Sequence, residues 1–186
     1  LRFLGQGALG LVSSHALALG RAAATRFRVA AFTNLSRDHL DFHDDMEDYY
    51  LAKASLFVPG RTARAVIWVD DPAGRRLASE TAVPVTTVGI APGADVTATD
   101  VVSGLSGSEF TAAGPSGTGR IRLPIAGGFN VANALVAAAC AAELGIGWDS
   151  IAAGIARVDR IAGRFEVVDA GEECTIVVDY AHTPEG

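Results

Sequence analysis

Hydrophobic and polar residues alternate along the N-terminal half of the chain in blocks whose lengths fit strands and helices in turn. Continuous apolar runs with polar borders predict buried strands, and a stretch of helical composition lies before or after each run. The predicted strands lie at residues 29–32, 63–71 and 84–90, and the predicted helices at residues 12–20, from residue 44 onward, and at residues 72–80. Strands that alternate with helices are typical of an α/β unit with a parallel sheet.

The pattern changes after Gly93. Residues 95–125 contain short strand-like segments separated by the turn sequences SGLSGS and GPSGTG, which predict an antiparallel meander appended to the sheet. Helices return at residues 130–144 and 149–158, the second with Asp149 as its N-cap. The segment RIAGRF suggests a boundary between one domain at residues 1–163 and a linker with the first strand of a second domain at residues 164–186. We therefore expect a fragment that is truncated at both ends.

Composition narrows the class of protein. The 186 residues are 49% apolar and 19% charged, with a formal net charge of −6, which argues against nucleic acid or an anionic membrane as a partner. No apolar run reaches the ~20 residues of a membrane span, and the start of the chain lacks the pattern of a signal peptide. Cys140 and Cys174 have no CxxC spacing, so two reduced thiols are favoured over a disulfide. These features predict a cytoplasmic protein.

Lys53 is the single lysine in the chain, against 14 arginines. It lies on the helix predicted to begin at an Asp44 cap, and it shares one helical face with three apolar residues, Met46, Tyr50 and Phe57. An amine buried on such a face has a lowered pKa and can act as a nucleophile, form a Schiff base or add carbon dioxide, none of which arginine can do. The alternative is a lysine that extends to solvent at the helix edge.

The loop TNLSRDHLDFH follows a predicted strand, where open α/β sheets bind ligands. It offers carboxylates and imidazoles: Asp38, His39, Asp41 and His43. Magnesium prefers oxygen ligands, so a histidine here would complete a metal site rather than define one. Alternatively, the aspartates are caps and turn residues, and His43 is a solvent-exposed loop residue.

Three further segments carry polar residues beside predicted element ends. In VSSHAL, Ser13 and Ser14 are candidate caps of a short helix, or serines that with Arg21 beyond the helix end hold a carboxylate or phosphate. In GGFNVANAL, Asn130 and Asn133 are N-cap and first-turn residues, or amides that contact a purine. In VDYAHTP, Asp179 stands at the tip of the last strand, where a carboxylate can accept a hydrogen bond from a ribose hydroxyl.

Taken together, these segments resemble one family. VSSHAL, RFRVAAFTNLSRDHLDFHDDMEDYYLAKASLF, VDDPAGRRLA, GGFNVANAL, GRFE and VDYAHTP match, in order and spacing, the UDP-N-acetylmuramoyl-tripeptide synthetases of the Mur ligase family. The resemblance spans residues 11–186. It implies the fold of the Mur-ligase central ATP-binding domain, a mostly parallel sheet flanked by helices with a small antiparallel meander.

The resemblance also implies a reaction. ATP phosphorylates the terminal carboxylate of UDP-N-acetylmuramoyl-L-alanyl-D-glutamate, and the amine of a diamino acid, meso-diaminopimelate or lysine, attacks the acyl phosphate. Mg²⁺ offsets the charge on the phosphates. The implied cofactors are ATP and Mg²⁺, the implied partners are the UDP-linked dipeptide and the diamino acid, and a monomer is expected.

Family roles carry over to matching positions. The lysine that corresponds to Lys53 is carbamylated and helps to bind magnesium, and the histidine that corresponds to His39 is linked with the same metal site. Ser13 and Arg21 match residues that contact the UDP-sugar-peptide. The residues that match the nucleotide side are Asn130, Asn133, Arg164 and Asp179, and His182 matches a position near them.

The chain also departs from the family pattern. Leu11 stands where the family has a magnesium-binding glutamate, and Leu19 where it has a glutamine. A GTNGKT-type phosphate loop does not occur in the sequence. We expect a piece of a tripeptide synthetase that is inactive alone. The alternatives are a non-catalytic remnant with weak nucleotide or UDP-substrate binding, and a folylpolyglutamate or cyanophycin synthetase, against which VSSHAL and DYAHTP speak.

Overall fold

The structure, a computed structural model, describes residues 10–163, 166–168, 171 and 176–179. The helices are α1 (Ser14–Ala18), α2 (Met46–Ala54), α3 (Pro72–Glu80), α4 (Phe129–Glu143) and α5 (Trp148–Ile155). The strands are β1 (Phe27–Phe32), β2 (Thr62–Trp68), β3 (Val85–Gly89), β4 (Val96–Gly104), β5 (Gly107–Gly114), β6 (Gly117–Leu123), β7 (Glu166–Val168) and β8 (Ile176–Val178).

Six strands form one mixed sheet in the order β1-β2-β3-β4-β5-β6. The strands β1 to β4 pair in parallel, and β4, β5 and β6 pair in antiparallel fashion. β3 and β4 share only the pairs Val88 with Val96 and Gly89 with Thr97, and residues 90–95 join them without a helix. The prediction of a parallel α/β sheet that continues into an antiparallel meander is confirmed.

Apolar residues cover both faces of this sheet, as the alternation along β2 shows. Val66 faces a core formed with β3 to β6, α4 and α5, whereas Ala65 and Ile67 face a second core formed with α1, α2 and α3. Successive side chains of a strand point to opposite faces, so a central strand with helices on both sides is apolar throughout. The helices of the second core include α2, which carries Lys53.

Two helix starts differ from the sequence prediction. α2 is capped by Asp45, whose side chain accepts a hydrogen bond from the Asp48 backbone N–H over 2.8 Å, and not by Asp44. α5 begins at Trp148 with Gly147 at the N-cap, so Asp149 lies in its first turn, where a carboxylate favours the helix dipole without capping. At α2, two neighbouring aspartates offer the same chemistry, and sequence alone does not choose between them.

β7 and β8 pair with each other as a separate two-stranded antiparallel sheet. None of the helices in the described part of the chain is long and apolar enough to cross a membrane.

Cys140 lies on α4 as a free thiol. Burial, with a smaller contribution from the Glu143 carboxylate, raises the pKa of this thiol to about 11. A thiol with such a pKa is unreactive at neutral pH. The other cysteine of the chain, Cys174, lies outside the described residues.

Gly74 should be required by the contact between α3 and β2. A Cβ at this position would lie 1.9 Å from the Trp68 carbonyl oxygen, which is backbone and cannot move alone. We expect Gly74→Ala to lower the free energy of unfolding, measured by urea denaturation, by about 1–3 kcal/mol or more, because the helix must shift off the strand.

Gly154→Ala is the matched control, since Gly154 also lies in a helix, with open space around it. This change should raise the free energy of unfolding by about 0.5–1 kcal/mol through helix propensity. Equal effects of the two substitutions would show that α3 does not pack on β2 as described.

Candidate active site

The carboxyl ends of β1 and β2 meet at one edge of the sheet, where Phe32 pairs with Ile67. Residues 33–45 leave this edge as the loop that leads to α2. The Leu35 backbone N–H donates to Asp71 Oδ2 over 3.3 Å, and Asp71 Oδ1 caps α3. Asp71 thus joins the loop after β1 to the helix after β2, at the end of a parallel sheet where ligands bind.

Lys53 reaches this edge from α2. Its Nζ atom lies 5.0 Å from the centroid of the Tyr49 ring and 5.9 Å from that of Phe32, and it donates to the Asn34 carbonyl oxygen over 3.4 Å. The side chain is half-buried. The structure therefore places the amine against a wall of two aromatic rings, which agrees with the prediction of an inward-facing lysine rather than one extended into solvent.

Burial lowers the pKa of the Lys53 amine, because a charged ammonium loses hydration beside the two rings. The carboxylates of Asp71 and Asp38 act in the opposite direction and favour the charged form. The balance is a lysine that loses its proton more readily than an exposed one, and the neutral amine is the form that reacts with electrophiles.

His39 lies beside the same aromatic ring. Its ring centroid is 5.9 Å from that of Tyr49 and 4.8 Å from that of His15, and its Nε2 is 3.5 Å from Asp38 Oδ2. The backbone at His39 has a φ of 57°, a left-handed conformation that turns the loop back toward α2. Lys53 and His39, the two residues expected at a metal site, are thus brought together around Tyr49.

His43 is buried, with 2% of its surface exposed, so the interpretation of a solvent-exposed loop residue is wrong. Its Nδ1 is 2.8 Å from Asp48 Oδ2, and its ring stacks on Tyr49 with centroids 5.0 Å apart. Because the loop folds back on itself, the polar side chain of His43 lies in the protein interior. Asp41 is exposed.

α1 lies next to the loop, since its His15 ring contacts those of His39 and His43. Ser13 is its N-cap and accepts a hydrogen bond from the Ala16 backbone N–H over 3.2 Å, which agrees with the capping interpretation. Arg21 is exposed beyond the end of the helix.

Asn130 and Asn133 lie on the first turns of α4. Asn130 is buried and its Nδ2 donates to the Ala126 carbonyl oxygen over 2.7 Å, whereas Asn133 is exposed and donates to Asn130 Oδ1 over 3.3 Å. The N-cap of α4 is Gly128, so the expectation of an asparagine N-cap is wrong. Asn130 holds the loop before the helix, and Asn133 presents the rest of its amide to solvent.

Asp179 is exposed and directly follows β8. Arg164 and His182, the other residues expected near the nucleotide, lie outside the described residues.

A family model described as the Mur ligase middle domain matches residues 12–141, which cover most of the chain. The chain belongs to the Mur ligase family. The match includes the sheet and α1 to α3, together with every residue at the edge where β1 and β2 end. The predicted fold class, the central domain of the Mur ligases, is confirmed.

Two individual Mur ligases share about half of their aligned residues with this chain. The UDP-N-acetylmuramoyl-L-alanyl-D-glutamate–2,6-diaminopimelate ligase of Streptomyces coelicolor is 50% identical over 92% of this chain and 34% of its own length. The Gloeobacter violaceus protein of the same name is 47% identical over 94% of this chain and 36% of its own. The chain thus spans about a third of the length of these relatives.

Two solved structures superpose on most of this chain. A UDP-N-acetylmuramoyl-L-alanyl-D-glutamate–2,6-diaminopimelate ligase superposes with a TM-score of 0.80 and 31% identity, over 94% of this chain and 37% of that one. Folylpolyglutamate synthase of Mycobacterium tuberculosis, complexed with ADP and AMPPCP, gives a TM-score of 0.68 and 25% identity over 84% of this chain and 36% of that one.

The described residues of this Mur ligase domain include no group of three histidine, cysteine, aspartate or glutamate side chains arranged to hold a metal ion. Leu11, at the position expected to bear a glutamate, is fully exposed and offers no donor. An unmodified Lys53 brings a positive charge or a neutral amine, and magnesium accepts neither readily. Without modification, the described residues therefore offer no donor set that suits Mg²⁺; a carbamate on Lys53 would add hard, anionic oxygens.

Tyr49 and Asp71 were missed by sequence reasoning, although both contact or face Lys53. Tyr49 precedes Lys53 by four residues, and the i, i+4 spacing on a helix was a signal that places the two side chains together. Asp71 comes from a different strand–helix connection, and only the parallel pairing of β1 with β2 places it here.

Removing the Asp71 charge should lower the pKa of Lys53 further, because that carboxylate stabilises the ammonium. Asp71→Asn is the appropriate change, since asparagine also caps helices. We expect the single lysine signal of ¹³Cε-labelled protein to titrate at a lower pH in this variant. Glu109→Gln, on the distant strand β5, is the control and should leave the titration in place. An unchanged or raised pKa in Asp71→Asn would contradict the described geometry.

Proposed function

We propose that this chain is the central ATP-binding domain of a ligase that adds meso-diaminopimelate to UDP-N-acetylmuramoyl-L-alanyl-D-glutamate in peptidoglycan precursor synthesis. Diaminopimelate is chosen over lysine because the similar relatives carry it in their names. The observation in the structure that supports the proposal best is the half-buried amine of Lys53 at the carboxyl ends of β1 and β2.

The proposed reaction has two steps. The terminal glutamate carboxylate of the UDP-linked dipeptide takes the γ-phosphoryl group of ATP, which gives an acyl phosphate and ADP. An amine of diaminopimelate attacks the acyl carbon and inorganic phosphate leaves, so that a new amide bond forms and the amine loses a proton. These steps take place between the substrates, so the protein contributes mainly by positioning them and by stabilising the developing charge.

In this proposal Lys53 and His39 form the metal side of the site. The neutral amine of Lys53 would add carbon dioxide and lose a proton, and the resulting carbamate oxygens would hold Mg²⁺. The ion would supply charge neutralisation for the ATP phosphates. Burial of the amine favours its neutral form, whereas the faces of the Tyr49 and Phe32 rings attract the charged form. His39 completes the donor set, next to the Asp38 carboxylate.

The remaining residues bind the substrates. Ser13 and Arg21 face the UDP-sugar-peptide, where the guanidinium pairs with a carboxylate or phosphate. Asn130, Asn133, Arg164 and Asp179 belong to the nucleotide side, with the amide of Asn133 exposed for it. We place the protein in the cytoplasm, because ATP and UDP-linked precursors are soluble metabolites, and we propose that it is a monomer.

A second hypothesis is a non-catalytic remnant that binds nucleotide or UDP-substrate weakly. Identity of 50% to a diaminopimelate ligase over 92% of the chain speaks for the ligase. Leu11 supports the remnant hypothesis, because it stands where a metal-binding glutamate is expected and has no carboxylate.

Carbamylation of Lys53 can be observed directly, because the chain contains no other lysine. We expect protein in ¹³C-bicarbonate to give a single side-chain carbamate signal by NMR, distinct from that of the N-terminal amine. Lys53→Arg keeps the charge but cannot react, and should abolish the signal. A wild-type spectrum without the signal, or one that Lys53→Arg leaves unchanged, would refute the proposed role of Lys53.

Substrate binding tests the class of ligand. We expect calorimetry to show tighter binding of UDP-N-acetylmuramoyl-L-alanyl-D-glutamate than of the same compound without glutamate. Arg21→Ala should weaken the binding of the dipeptide compound about tenfold, the cost of one hydrogen-bonded charge pair. Arg122→Ala, an exposed arginine on β6, is the matched control and should not. Wild-type affinity in Arg21→Ala would refute the proposed role of Arg21, and equal affinities of the wild-type protein for the two compounds would favour the remnant hypothesis.

A further inference from the structure

His43 is an unusual residue to bury. It lies in the loop before α2, yet 2% of its surface is exposed. Its Nδ1 is paired with Asp48, whereas its Nε2 is buried without a hydrogen-bond partner in the described part of the protein. An unpaired buried polar atom costs about 1–3 kcal/mol, so an apolar residue would serve stability better here. The burial of a histidine therefore calls for an explanation other than packing.

The imidazole ring supports the ring that lies under Lys53. His43 stacks on Tyr49 with centroids 5.0 Å apart and planes 22° apart. Tyr49 is itself buried, and Lys53 Nζ lies 5.0 Å from the centroid of the same ring. A tyrosine held by a stacked neighbour has fewer rotamers available, so the surface that the amine contacts is fixed.

His43 also joins two segments of the candidate active site. Its backbone N–H donates to the His39 carbonyl oxygen over 2.9 Å, which closes the turn at residues 39–43. Its side chain pairs with Asp48 in the first turn of α2. The loop that carries His39 is thereby tied to the helix that carries Lys53.

We propose that His43 is a positioning residue of the candidate active site, which stacks on Tyr49 and ties the loop of His39 to α2 so that Lys53 and His39 keep their relative placement. The proposal rests on the proposed function of Lys53 as the carbamylated metal ligand. Groups that orient metal ligands typically contribute about 10–100-fold to metal affinity or activity although they do not touch the metal.

His43→Leu removes both the stacking and the pair with Asp48. The first measurement is the position of the single lysine CεH₂ signal, which we expect to lie upfield in the native protein because the amine lies over the rings of Tyr49 and Phe32. We expect the variant to lose at least half of that shift. The second is carbamate occupancy in ¹³C-bicarbonate, whose formation constant should fall about tenfold.

Two further variants separate positioning from folding. His43→Asn keeps a donor close to the Nδ1 position and should restore part of the lysine shift. Asp48→Ala breaks the same pair from its half-exposed side, so it tests the proposal if His43→Leu does not fold. Tyr50→Phe is the control, on the same helix as Asp48: it removes the hydrogen bond from Tyr50 on α2 to Glu80 on α3 and should lower the melting temperature without moving the lysine signal.

A lysine signal and a carbamate occupancy that stay at wild-type values in both His43→Leu and Asp48→Ala would overturn the proposal. The outcome is separable from that of the proposed function. If wild-type protein forms no carbamate, the role of Lys53 fails, and the shift of the lysine CεH₂ signal still decides whether His43 fixes the position of the amine.

Discussion

The parallel pairing of β1 with β2 is the constraint on which the candidate active site depends. It brings the ends of the two strands to one edge of the sheet, so the loop after β1 lies beside Asp71 at the start of α3. α2 then packs over this edge in the second core and delivers Lys53 to it. Residues that are far apart in sequence become neighbours because one strand register is fixed.

Polar groups in apolar surroundings mark this edge of the domain. Lys53 contacts two aromatic rings, and the buried Nε2 of His43 has no hydrogen-bond partner among the described residues. Each arrangement costs free energy that a leucine would not. Their concentration at the carboxyl ends of two parallel strands, in a chain that belongs to the Mur ligase family, is what connects the fold with the proposed chemistry.

The sequence was sufficient for the architecture and for part of the site. Apolar runs and turn residues predicted the strands, whereas helical periodicity left open whether Lys53 faces inward or extends to solvent. Periodicity describes one element at a time, so it could not show that His43 folds under Tyr49 or that Asp71 faces the amine from another connection. The cap of α2 was misplaced because two adjacent aspartates offer the same chemistry, and that of α4 because the helix begins after Gly128 without a side-chain cap.

A crystal structure of the protein grown with bicarbonate, Mg²⁺ and a non-hydrolysable ATP analogue would test the central claim most directly. The account predicts a planar carbamate on Lys53 beside the Tyr49 ring, with one oxygen about 2.0–2.1 Å from the magnesium ion. An unmodified Lys53 whose amine has left the two rings and extends into solvent would contradict it.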